Sequence, residues 1–520
     1  MARLVNVPET FNQAQFLVDR HLEEGRAENI AIHYEQQKIT YAELAAMVNR
    51  TGNALKDLGV EIENRVMLIL PDCPEFLYSY LGAMKIGAVP VPVNTLASPQ
   101  DYRYFLNDTR AKVLVLSHDL LPKIESVKEE LMYLRCIVVV GQASDGTLSY
   151  DKLVGGASER LEATETSKDD MAYWMYTSGT TGLPKGVVHL HHDLIYYMYP
   201  ICEEVLEIKE EDIAFATSKM FFSYGRNNSV EQPLLCGAST VLYPEWPNPQ
   251  KVIQIIEKYR PTLFFSVPTF YAALLREIEK AELVCDFSSV RLCMSAGEAL
   301  PRSLYERWQA KFGLQILDGL GSTDVGAVYL ANRVGQVKQG SSGKLLPGFE
   351  GELRDTEGKQ VPQGQMGTLW LKSDGIASYY WNKHQRSKEA FVGQWFNTGD
   401  QFYKDAEEYF YYEGREDDML KVSGQWVSPL EIEGILQEHP AVREIGMIGT
   451  PDESGLTRIK AFVVLNEGYQ TSPELEKELV DFVYNRTAHF KAPRWVQFVQ
   501  ELPRTATGKL QRHKLRQNFP

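Results

Sequence analysis

Residues 176–186 read YTSGTTGLPKG, and this stretch carries the strongest structural signal in the chain. The apolar residues 171–175 before it predict a strand that leads into a loop. Three glycines permit tight turns and let main-chain N–H groups approach an anion. Four Ser or Thr hydroxyls add hydrogen-bond donors, and Lys185 adds a compact positive charge. Together these features predict a strand–loop unit that binds a polyphosphate.

This loop differs from the Walker phosphate-binding loop, G-x-x-x-x-G-K-[ST], because Pro184 precedes the lysine and Gly186 follows it. A flexible surface loop is the alternative interpretation, since Gly and Ser are common in such loops. The density of donors around one lysine favours phosphate binding.

Helix-period and strand-period segments alternate on both sides of the loop. Thr40 and Glu43 form a capping box, and the apolar spacing after it predicts a helix that ends near Gly59. A second helical pattern covers residues 75–86. The alternation predicts an α/β fold with a parallel sheet and helices on both faces. Strand-sized apolar runs occupy residues 66–70, 88–92, 113–116, 137–140, 240–243, 263–267 and 291–295.

The last third of the chain has a different pattern. Residues 343–412 are rich in Gly, aromatic residues and short alternating runs, which predicts a compact β unit. The residues that follow predict a small α+β domain. Its helices are expected near 429–437 and 472–485, and its strands near 444–449 and 460–465.

Composition excludes several classes of protein. The chain has 520 residues, with 54 Lys and Arg against 69 Asp and Glu, so its formal charge is −15. This balance argues against nucleic acid or an anionic membrane as the main partner. No apolar run approaches the ~18 residues that span a bilayer, and the N-terminus lacks the apolar core of a secretory signal. Six scattered cysteines without a C-x-x-C pair predict free thiols in a cytoplasmic protein.

Four further motifs follow the phosphate loop along the chain. They are DGLGSTD at 318–324, WFNTGD at 395–400, GREDDMLK at 414–421 and PRTATGK at 503–509. With residues 176–186 they resemble the signature motifs of the adenylate-forming superfamily, which includes acyl-CoA synthetases, adenylation domains and beetle luciferases. Within it, the strings at 91–96, 221–225, 295–301 and 417–424 are most similar to those of benzoate-CoA ligases.

The resemblance implies an α/β fold in two parts. Residues 1–414 would form a large multi-lobed domain with two α/β subdomains and a small β-barrel, residues 415–417 a hinge, and residues 418–520 a small mobile α+β domain. It also implies an AMP-forming acid–CoA ligase that uses ATP, Mg2+ and coenzyme A. A carboxylate, expected to be benzoate or a related aromatic or cyclic acid, attacks the α-phosphate, and the CoA thiol then attacks the acyl-adenylate.

Other assignments stay open on the sequence alone. The acid is alternatively a non-aromatic ring acid or a short aliphatic acid, or the protein is a stand-alone adenylation enzyme that loads a carrier protein. A luciferase-like oxygenase would use the adenylate with oxygen, and a nucleotide-binding scaffold would form no adenylate. Lys509 and the intact phosphate loop disfavour the scaffold. A monomer and a homodimer are both compatible with the sequence.

The resemblance also assigns the nucleotide site. Lys509 is the expected catalytic lysine, because its ammonium would neutralise charge shared by the acid and the α-phosphate. A solvated lysine in a basic tail is the alternative, and charge removal by a regulatory lysine acetyltransferase is a further hypothesis. The expected ATP-binding residues, of which the last two meet the ribose, are Thr177, Ser178, Gly179, Thr180, Thr181, Gly182, Lys185, Gly297, Glu298, Ala299, Asp318, Gly319, Leu320, Thr323, Asp400 and Arg415.

Two residues of this site depart from the family pattern. Asp324 stands where the family has a magnesium-binding Glu, and its side chain is shorter by about 1.5 Å. Because Mg2+ readily keeps water ligands, we expect Asp324 to act through a water or after a small backbone shift. Leu320 stands where the family has an aromatic residue on the adenine, so stacking becomes apolar contact. Asp318 is expected to accept from the adenine amino group.

Substrate choice is expected to depend on a small set of pocket residues. Benzoate-CoA ligases carry a histidine at the position of Ala327, and its loss should enlarge the pocket or change its floor. Arg226 would read a polar substituent of the acid; the alternatives are that it points to solvent or pairs with Glu231. The expected acyl-binding residues are Ser223, Tyr224, Gly321, Ala327 and Val328.

The remaining candidates concern the hinge, coenzyme A and a metal. Asp417 is the expected hinge residue. The pantetheine arm of CoA is expected to pass Ser423, Gly424 and Gln425. An H-x-H-H cluster could ligate a metal, although positions at a strand end or helix start are the ordinary interpretation. That cluster is formed by His189, His191 and His192.

Overall fold

The fold comes from a computed structural model that describes residues 6–179, 182–280, 285–422, 425–452, 456–504 and 510–518. Within these ranges, no helix combines the length and the apolar character needed to cross a membrane. All six cysteines lie in the described part of the chain and are unpaired.

The α-helices are distributed along the whole described chain. The described residues also form four short 3-10 turns, one of which is Glu416–Asp418. The α-helices are α1 (Gln13–Leu17), α2 (Asp19–Glu23), α3 (Tyr41–Asp57), α4 (Pro74–Lys85), α5 (Pro99–Thr109), α6 (Leu121–Glu125), α7 (Tyr150–Gly156), α8 (Asp193–Ile201), α9 (Ser223–Arg226), α10 (Gln232–Cys236), α11 (Pro249–Tyr259), α12 (Pro268–Lys280), α13 (Arg302–Phe312), α14 (His384–Ala390), α15 (Pro429–Gln437), α16 (Pro473–Tyr484) and α17 (Arg512–Asn518).

The strands alternate with these helices through most of the chain. They are β1 (Ile30–Tyr34), β2 (Gln37–Thr40), β3 (Arg65–Ile69), β4 (Val89–Pro92), β5 (Val113–Ser117), β6 (Cys136–Val140), β7 (Leu148–Ser149), β8 (Met171–Gly179), β9 (Gly182–Leu190), β10 (Ile213–Ala216), β11 (Ser239–Leu242), β12 (Leu263–Ser266), β13 (Leu292–Ser295), β14 (Ile316–Gly321), β15 (Val328–Ala331), β16 (Lys344–Leu345), β17 (Glu350–Arg354), β18 (Gly367–Lys372), β19 (Tyr379–Tyr380), β20 (Phe391–Val392), β21 (Trp395–Lys404), β22 (Phe410–Arg415), β23 (Leu420–Val422), β24 (Gln425–Val427), β25 (Val442–Pro451), β26 (Thr457–Leu465) and β27 (Trp495–Phe498).

Two largely parallel sheets form the greater part of the molecule. The larger sheet has the order β16-β15-β14-β13-β12-β10-β11-β1-β2, and its six inner strands, from β14 to β1, are parallel. The smaller sheet, β4-β3-β5-β6-β7, is parallel throughout. Strands such as β4, β12 and β13 are buried along their whole length, which is why they read as continuous apolar runs. The predicted α/β fold is confirmed.

The structure confirms the helices that local sequence signals predicted. Thr40 accepts from the N–H of Glu43, whose carboxylate accepts from the N–H of Thr40, and this capping box starts α3. Gly59 follows the end of the same helix with φ +76°, a conformation that favours glycine. The helices predicted near 75–86, 429–437 and 472–485 appear as α4, α15 and α16.

The parallel topology of the larger sheet brings functional segments together. The carboxyl ends of β10, β12, β13 and β14 lie side by side, as the pairs Ala216↔Phe265, Ser266↔Ser295 and Ser295↔Asp318 show. The residues that follow each strand therefore meet at one edge of the sheet, the usual ligand position in such folds.

Four further sheets are present among the described residues, and the smallest of them is the two-stranded sheet β23-β24. β8, β9 and β19 form an antiparallel sheet of order β19-β9-β8. The compact β unit predicted for residues 343–412 is an antiparallel sheet in which β21 pairs with β18 and β20 and also with β22. In the C-terminal part, β26 pairs with β25 and β27, and helices α15 and α16 pack with this sheet in one apolar cluster.

Two helical segments contain π-helical turns that the sequence did not predict. The segment from α8 continues into a π turn at Cys202–Leu206, and the segment from α9 to α10 contains one at Asn227–Glu231. A π turn inserts one extra residue per turn and often occurs near functional sites. The second π turn lies directly beside residues predicted to line the acyl pocket.

Candidate active site

The described residues of the phosphate motif, 176–179 and 182–186, lie on the paired strands β8 and β9 rather than in a loop. These strands pair along their length, with Thr177 opposite Lys185. The Tyr104 hydroxyl donates to the carbonyl of Pro184 at 2.7 Å. The N–H of Trp381 donates to the carbonyl of the residue after Lys185 at 2.8 Å. The hairpin of β8 and β9 is thus fixed from two sides.

Lys185, Asp324 and Tyr380 form a close polar cluster beside this hairpin. The ammonium of Lys185 donates to Asp324 Oδ1 at 3.2 Å, and the Tyr380 hydroxyl donates to the same oxygen at 2.5 Å. The ammonium also lies 3.6 Å from the centroid of the Tyr380 ring. The structure therefore joins the predicted phosphate-binding lysine to the predicted metal ligand.

The charge states in this cluster follow from burial and hydrogen bonding. Burial raises the pKa of the Asp324 carboxyl, but Lys185 and the bond from Tyr380 outweigh burial and hold that pKa below its ordinary value. Burial lowers the pKa of Lys185, and Asp324 offsets only part of that shift. Burial and Asp324 raise the pKa of Tyr380, so its phenol keeps its proton. Asp324 is an anion flanked by two donors.

The donors around Asp324 suit magnesium better than they suit a metal whose ligands all come from the protein. Within the described ranges, no group of three or more His, Cys, Asp or Glu side chains could hold a metal ion. Mg2+ usually binds through one or two carboxylates together with waters and substrate phosphates. The single ionised carboxylate of Asp324 beside the phosphate hairpin matches that requirement.

Tyr380 is the site residue that sequence reasoning missed. It lies in the two-residue strand β19, which pairs Tyr379↔Val188 and Tyr380↔Val187. No motif of the resemblance covers it, and its only signal is the aromatic run YYW at 379–381. Contact with Asp324 arises from strand pairing across about two hundred residues of sequence, which local patterns do not show.

The predicted adenine residues lie at the carboxyl ends of β13 and β14. Asp318 ends the parallel part of β14, and its buried Oδ1 has no hydrogen-bond partner among the described residues. Burial raises the pKa of Asp318 well above its usual range. An acceptor left without a donor suits the amino group of adenine. Glu298 accepts from the Thr269 hydroxyl at 2.6 Å, and Gly297 has φ +91°.

The ribose pair is formed across two neighbouring strands. Asp400 on β21 lies opposite Arg415 on β22, and Arg415 Nη1 lies 3.1 Å from Asp400 Oδ1. Arg415 also donates to the carbonyl of Thr398 at 2.7 Å. Burial would lower the pKa of Arg415, but Asp400 reverses the direction and raises it. Gly399 has φ +68°, a conformation that favours glycine, and a Cβ there would crowd Arg415 Nη2 at 2.7 Å.

The predicted acyl-binding residues also meet in space. Gly321 pairs with Val328 where β14 meets β15, and a Cβ on Gly321 would lie 2.5 Å from the carbonyl of Ala327. The Ser223 hydroxyl donates to Thr323 Oγ1 at 3.2 Å. These contacts join α9 to the turn between the two strands.

Tyr224 and Leu320 complete this region. The Tyr224 hydroxyl donates to the carbonyl of Met294 at 3.1 Å, and burial raises the pKa of its phenol. Leu320 is partly buried against the main apolar cluster, as is Tyr224. Both side chains therefore contribute to the apolar packing of the large domain.

Arg226 lies inside the molecule. Its side chain is fully buried, its Nε lies 3.1 Å from Glu231 Oε1, and its guanidinium lies 3.9 Å from the centroid of the Tyr173 ring. The solvent-facing interpretation is wrong, and the alternative that it pairs with Glu231 is confirmed. The buried charges of Arg226 and Glu231 therefore compensate each other.

The three histidines occupy a strand end and a helix start. His189 and His191 are buried, and His192 precedes α8. His191 Nδ1 accepts from the N–H of Gln13 at 3.1 Å, and burial lowers its pKa to about 3. His189 bonds to Asp193 and to the turn that carries Asp324.

Several predicted residues cannot be placed. Thr180, Thr181, Ser423, Gly424 and Lys509 lie outside the described residues. For Ser178, Gly179, Gly182 and Gln425 only the backbone is described: the first two end β8, the third starts β9 and the last starts β24.

Asp417 occupies the 3-10 turn Glu416–Asp418, directly after β22. Its neighbour Asp418 lies 3.2 Å from Arg516 and 3.7 Å from Arg512 of the C-terminal helix. Gly319 and Ala299, the remaining adenine candidates, lie on β14 and after β13.

Comparison with known proteins identifies this arrangement. The family described as AMP-binding enzyme matches residues 18–381, and the AMP-binding enzyme C-terminal domain matches residues 431–509. The chain belongs to the AMP-binding enzyme family. The expected membership of the adenylate-forming superfamily and the expected class, an AMP-forming acid–CoA ligase, are confirmed.

Relatives of this AMP-binding enzyme match along almost the whole chain. Benzoate–CoA ligase of Thauera aromatica is 41% identical, over 98% of this chain and 97% of the relative. A crystal structure of the anthranilate CoA ligase AuaEII in complex with anthranoyl-AMP is 40% identical, with a TM-score of 0.93 and coverage of 99% and 98%. A benzoate CoA ligase from Burkholderia xenovorans LB400 is 38% identical, with a TM-score of 0.88 and coverage of 97% and 100%.

Proposed function

We propose that this AMP-binding enzyme activates an aromatic carboxylic acid as its acyl-adenylate and transfers the acyl group to coenzyme A. The observation that carries the proposal is the near-full-length match, at about 40% identity, to ligases named for benzoate and anthranilate. The contacts among the candidate residues support it, because Lys185 on β9 bonds to Asp324 after β14, and Asp400 on β21 pairs with Arg415 on β22.

In the first half-reaction, a carboxylate oxygen of the acid attacks the α-phosphorus of ATP, and pyrophosphate leaves. Lys185 and the main-chain donors of the hairpin would bind the phosphates, while Asp400 and Arg415 would hold the ribose. Magnesium, when bound, would neutralise phosphate charge, and Asp324 would hold it. In the second half-reaction, the CoA thiol attacks the acyl carbon and AMP leaves with its electron pair. The role of Lys509 is to stabilise charge in the first of these steps.

The acyl pocket favours a flat ring. Gly321, Ala327 and Val328 are small or branched apolar residues on β14, on β15 or between them, and Tyr224 on α9 is an aromatic candidate for the same pocket. Replacement of the histidine of benzoate-CoA ligases by Ala327 should enlarge the pocket or change its floor. A benzoate with one further substituent is therefore the favoured acid.

The C-terminal part is proposed to alternate between two orientations. The described apolar clusters divide at the proposed hinge: one extends from Ala14 to Phe410 and another from Leu420 to Val496. This separation supports domains at 1–414 and 418–520 with Asp417 in the hinge. Ser423, Gly424 and Gln425 would then line the pantetheine path.

A pyrophosphate-release screen tests the acid class. The panel holds benzoate, hydroxybenzoates, aminobenzoates, cyclohexane- and cyclohexenecarboxylates and short aliphatic acids. We expect the highest kcat/KM with a benzoate and release that depends on both ATP and acid. A clear preference for an aliphatic or non-aromatic ring acid would contradict the aromatic assignment.

We propose a cytoplasmic location and regulation by acetylation of Lys509. The unpaired cysteines support a location of the protein in a reducing cytoplasm.

Acetylation of Lys509 would remove its charge and stop adenylation. Incubation with a lysine acetyltransferase and acetyl-CoA, followed by mass spectrometry and an activity assay, tests this; full activity of protein acetylated at Lys509 would contradict it. Sedimentation would decide between a monomer and a homodimer.

A further inference from the structure

The turn between β14 and β15 carries several candidate site residues in immediate succession. Thr323 is a candidate for phosphate, Asp324 for magnesium and Ala327 for the acyl group. The turn is closed by short contacts of its own, such as the bond from the N–H of Gly326 to the carbonyl of Ser322 at 3.0 Å. Ligand geometry at Asp324 therefore depends on how this turn is held.

His189 holds the turn through its main chain. Its Nε2 lies 2.8 Å from the carbonyl oxygen of Thr323, which can only accept, so Nε2–H donates. Its Nδ1 lies 2.8 Å from Asp193 Oδ2, which also accepts from the N–H of Leu190 at 3.1 Å. The ring is buried and stacks on Tyr173 at 4.9 Å between centroids. Asp193, His189 and the turn therefore form one connected, buried chain of hydrogen bonds.

Strand β9 contacts the turn at two points. β9 carries Lys185, which bonds to the Asp324 side chain, and His189, which bonds to the carbonyl of Thr323. The two residues are four positions apart, so they lie on the same face of the strand. The phosphate hairpin and the candidate metal ligand are thereby coupled through β9.

The opposite side of the turn is held just as closely. Asn227, at the start of the π turn, donates from Nδ2 to the carbonyl of Gly326 at 2.8 Å. Gly326 has φ +85°, and a Cβ there would lie 2.7 Å from the Tyr197 ring and 3.1 Å from His189. The fit leaves no room for the turn to relax toward the histidine.

We propose that His189, oriented by Asp193, is a positioning residue that fixes Thr323 and Asp324 for magnesium–ATP. This inference rests on the proposed function, because it concerns the same nucleotide site. Groups that orient a metal ligand typically change metal affinity or activity by about 10- to 100-fold when removed. The predicted phenotype is a loss of magnesium-dependent ATP binding with little change in ATP binding without the metal.

The test is calorimetric ATP binding to the full chain over a series of Mg2+ concentrations. His189→Ala should raise the Mg2+ concentration for half-maximal binding about tenfold or more. His189→Gln, whose amide can still donate toward Thr323, should recover most of the wild-type value. Thermal unfolding of each variant reports stability separately.

His191→Ala is the matched control, because this histidine is equally buried, lies two residues away and bonds instead to the N–H of Gln13. It should lower stability and leave the Mg2+ midpoint unchanged. The proposal is overturned if folded His189→Ala keeps the wild-type midpoint, or if His191→Ala shifts the midpoint as far. If His189→Ala does not fold, Asp193→Asn decides: a raised midpoint supports the proposal and an unchanged one overturns it.

Failure of this inference is distinguishable from failure of the proposed function. Thioester formation from the acid panel is measured on the wild-type protein in parallel. Absence of any CoA thioester would overturn the ligase reaction, while the Mg2+ titration of ATP binding would still decide the role of His189.

Discussion

At the scale of single residues, the charge of Asp324 depends on the hydrogen bonds that its carboxylate accepts from Lys185 and Tyr380. Tyr380→Phe should leave the fold intact but remove the 2.5 Å donor to this carboxylate. A hydrogen bond to a charged group contributes about 1.5–3 kcal/mol, so kcat/KM for ATP should fall roughly 10- to 100-fold. Steady-state kinetics measures the change.

Tyr379→Phe is the control for that substitution, because its hydroxyl contacts Met171 Sδ rather than Asp324. It should leave kcat/KM for ATP near the wild-type value. Equal losses in the two variants would contradict the role assigned to Tyr380.

Single residues also mark where sequence reasoning stopped. Lys185, Asp324, Asp400 and Arg415 were predicted because each lies in a contiguous motif. Tyr380 was not, since its contact arises from pairing between β19 and β9. The sequence left the partner of Arg226 open for a similar reason. Its burial against Tyr173 depends on the tertiary fold, and a charged residue next to several aromatic residues is equally compatible with a surface position.

At the scale of elements, local patterns predicted helices and strands to within a few residues. The capping box before α3, the apolar runs of β3 and β5 and the helix α15 all carry their signals within ten to fifteen residues of sequence. The π turn at Asn227–Glu231 lacks such a signal, because hydrophobic spacing does not distinguish one inserted residue in a short helix.

Gly225 tests the packing of this helical segment. A Cβ at that position would lie 2.1 Å from the carbonyl oxygen of Lys219, so Gly225→Ala must displace the start of α9. Overpacking typically costs about 1–3 kcal/mol, and we expect a lower thermal midpoint together with impaired use of the acid.

Gly155→Ala on α7 is the matched control, since no atom lies within 4 Å of the added Cβ. Alanine is a better helix former than glycine by roughly 0.5–1 kcal/mol, so this variant should be neutral or stabilised. A Gly225→Ala protein with an unchanged midpoint would show that the close approach is not required.

At the scale of the whole molecule, three anionic substrates must bind a chain with a formal charge of −15. We expect binding to depend on local donors such as Lys185 and Arg415 rather than on the net field. The assignment of the fold from sequence succeeded because five motifs lie in the order that this topology requires. The acid stays less determined, since pocket shape depends on side chains from α9, β14 and β15 that no single motif contains.

The most direct test of the account follows both half-reactions in one experiment. Full-length protein is incubated with ATP, Mg2+ and benzoate or a substituted benzoate, with and without coenzyme A, and products are identified by mass spectrometry. We predict an acyl-adenylate without coenzyme A and, with it, one acyl-CoA and one AMP for each acid consumed. AMP formation without a thioester for every acid in the panel would contradict the account.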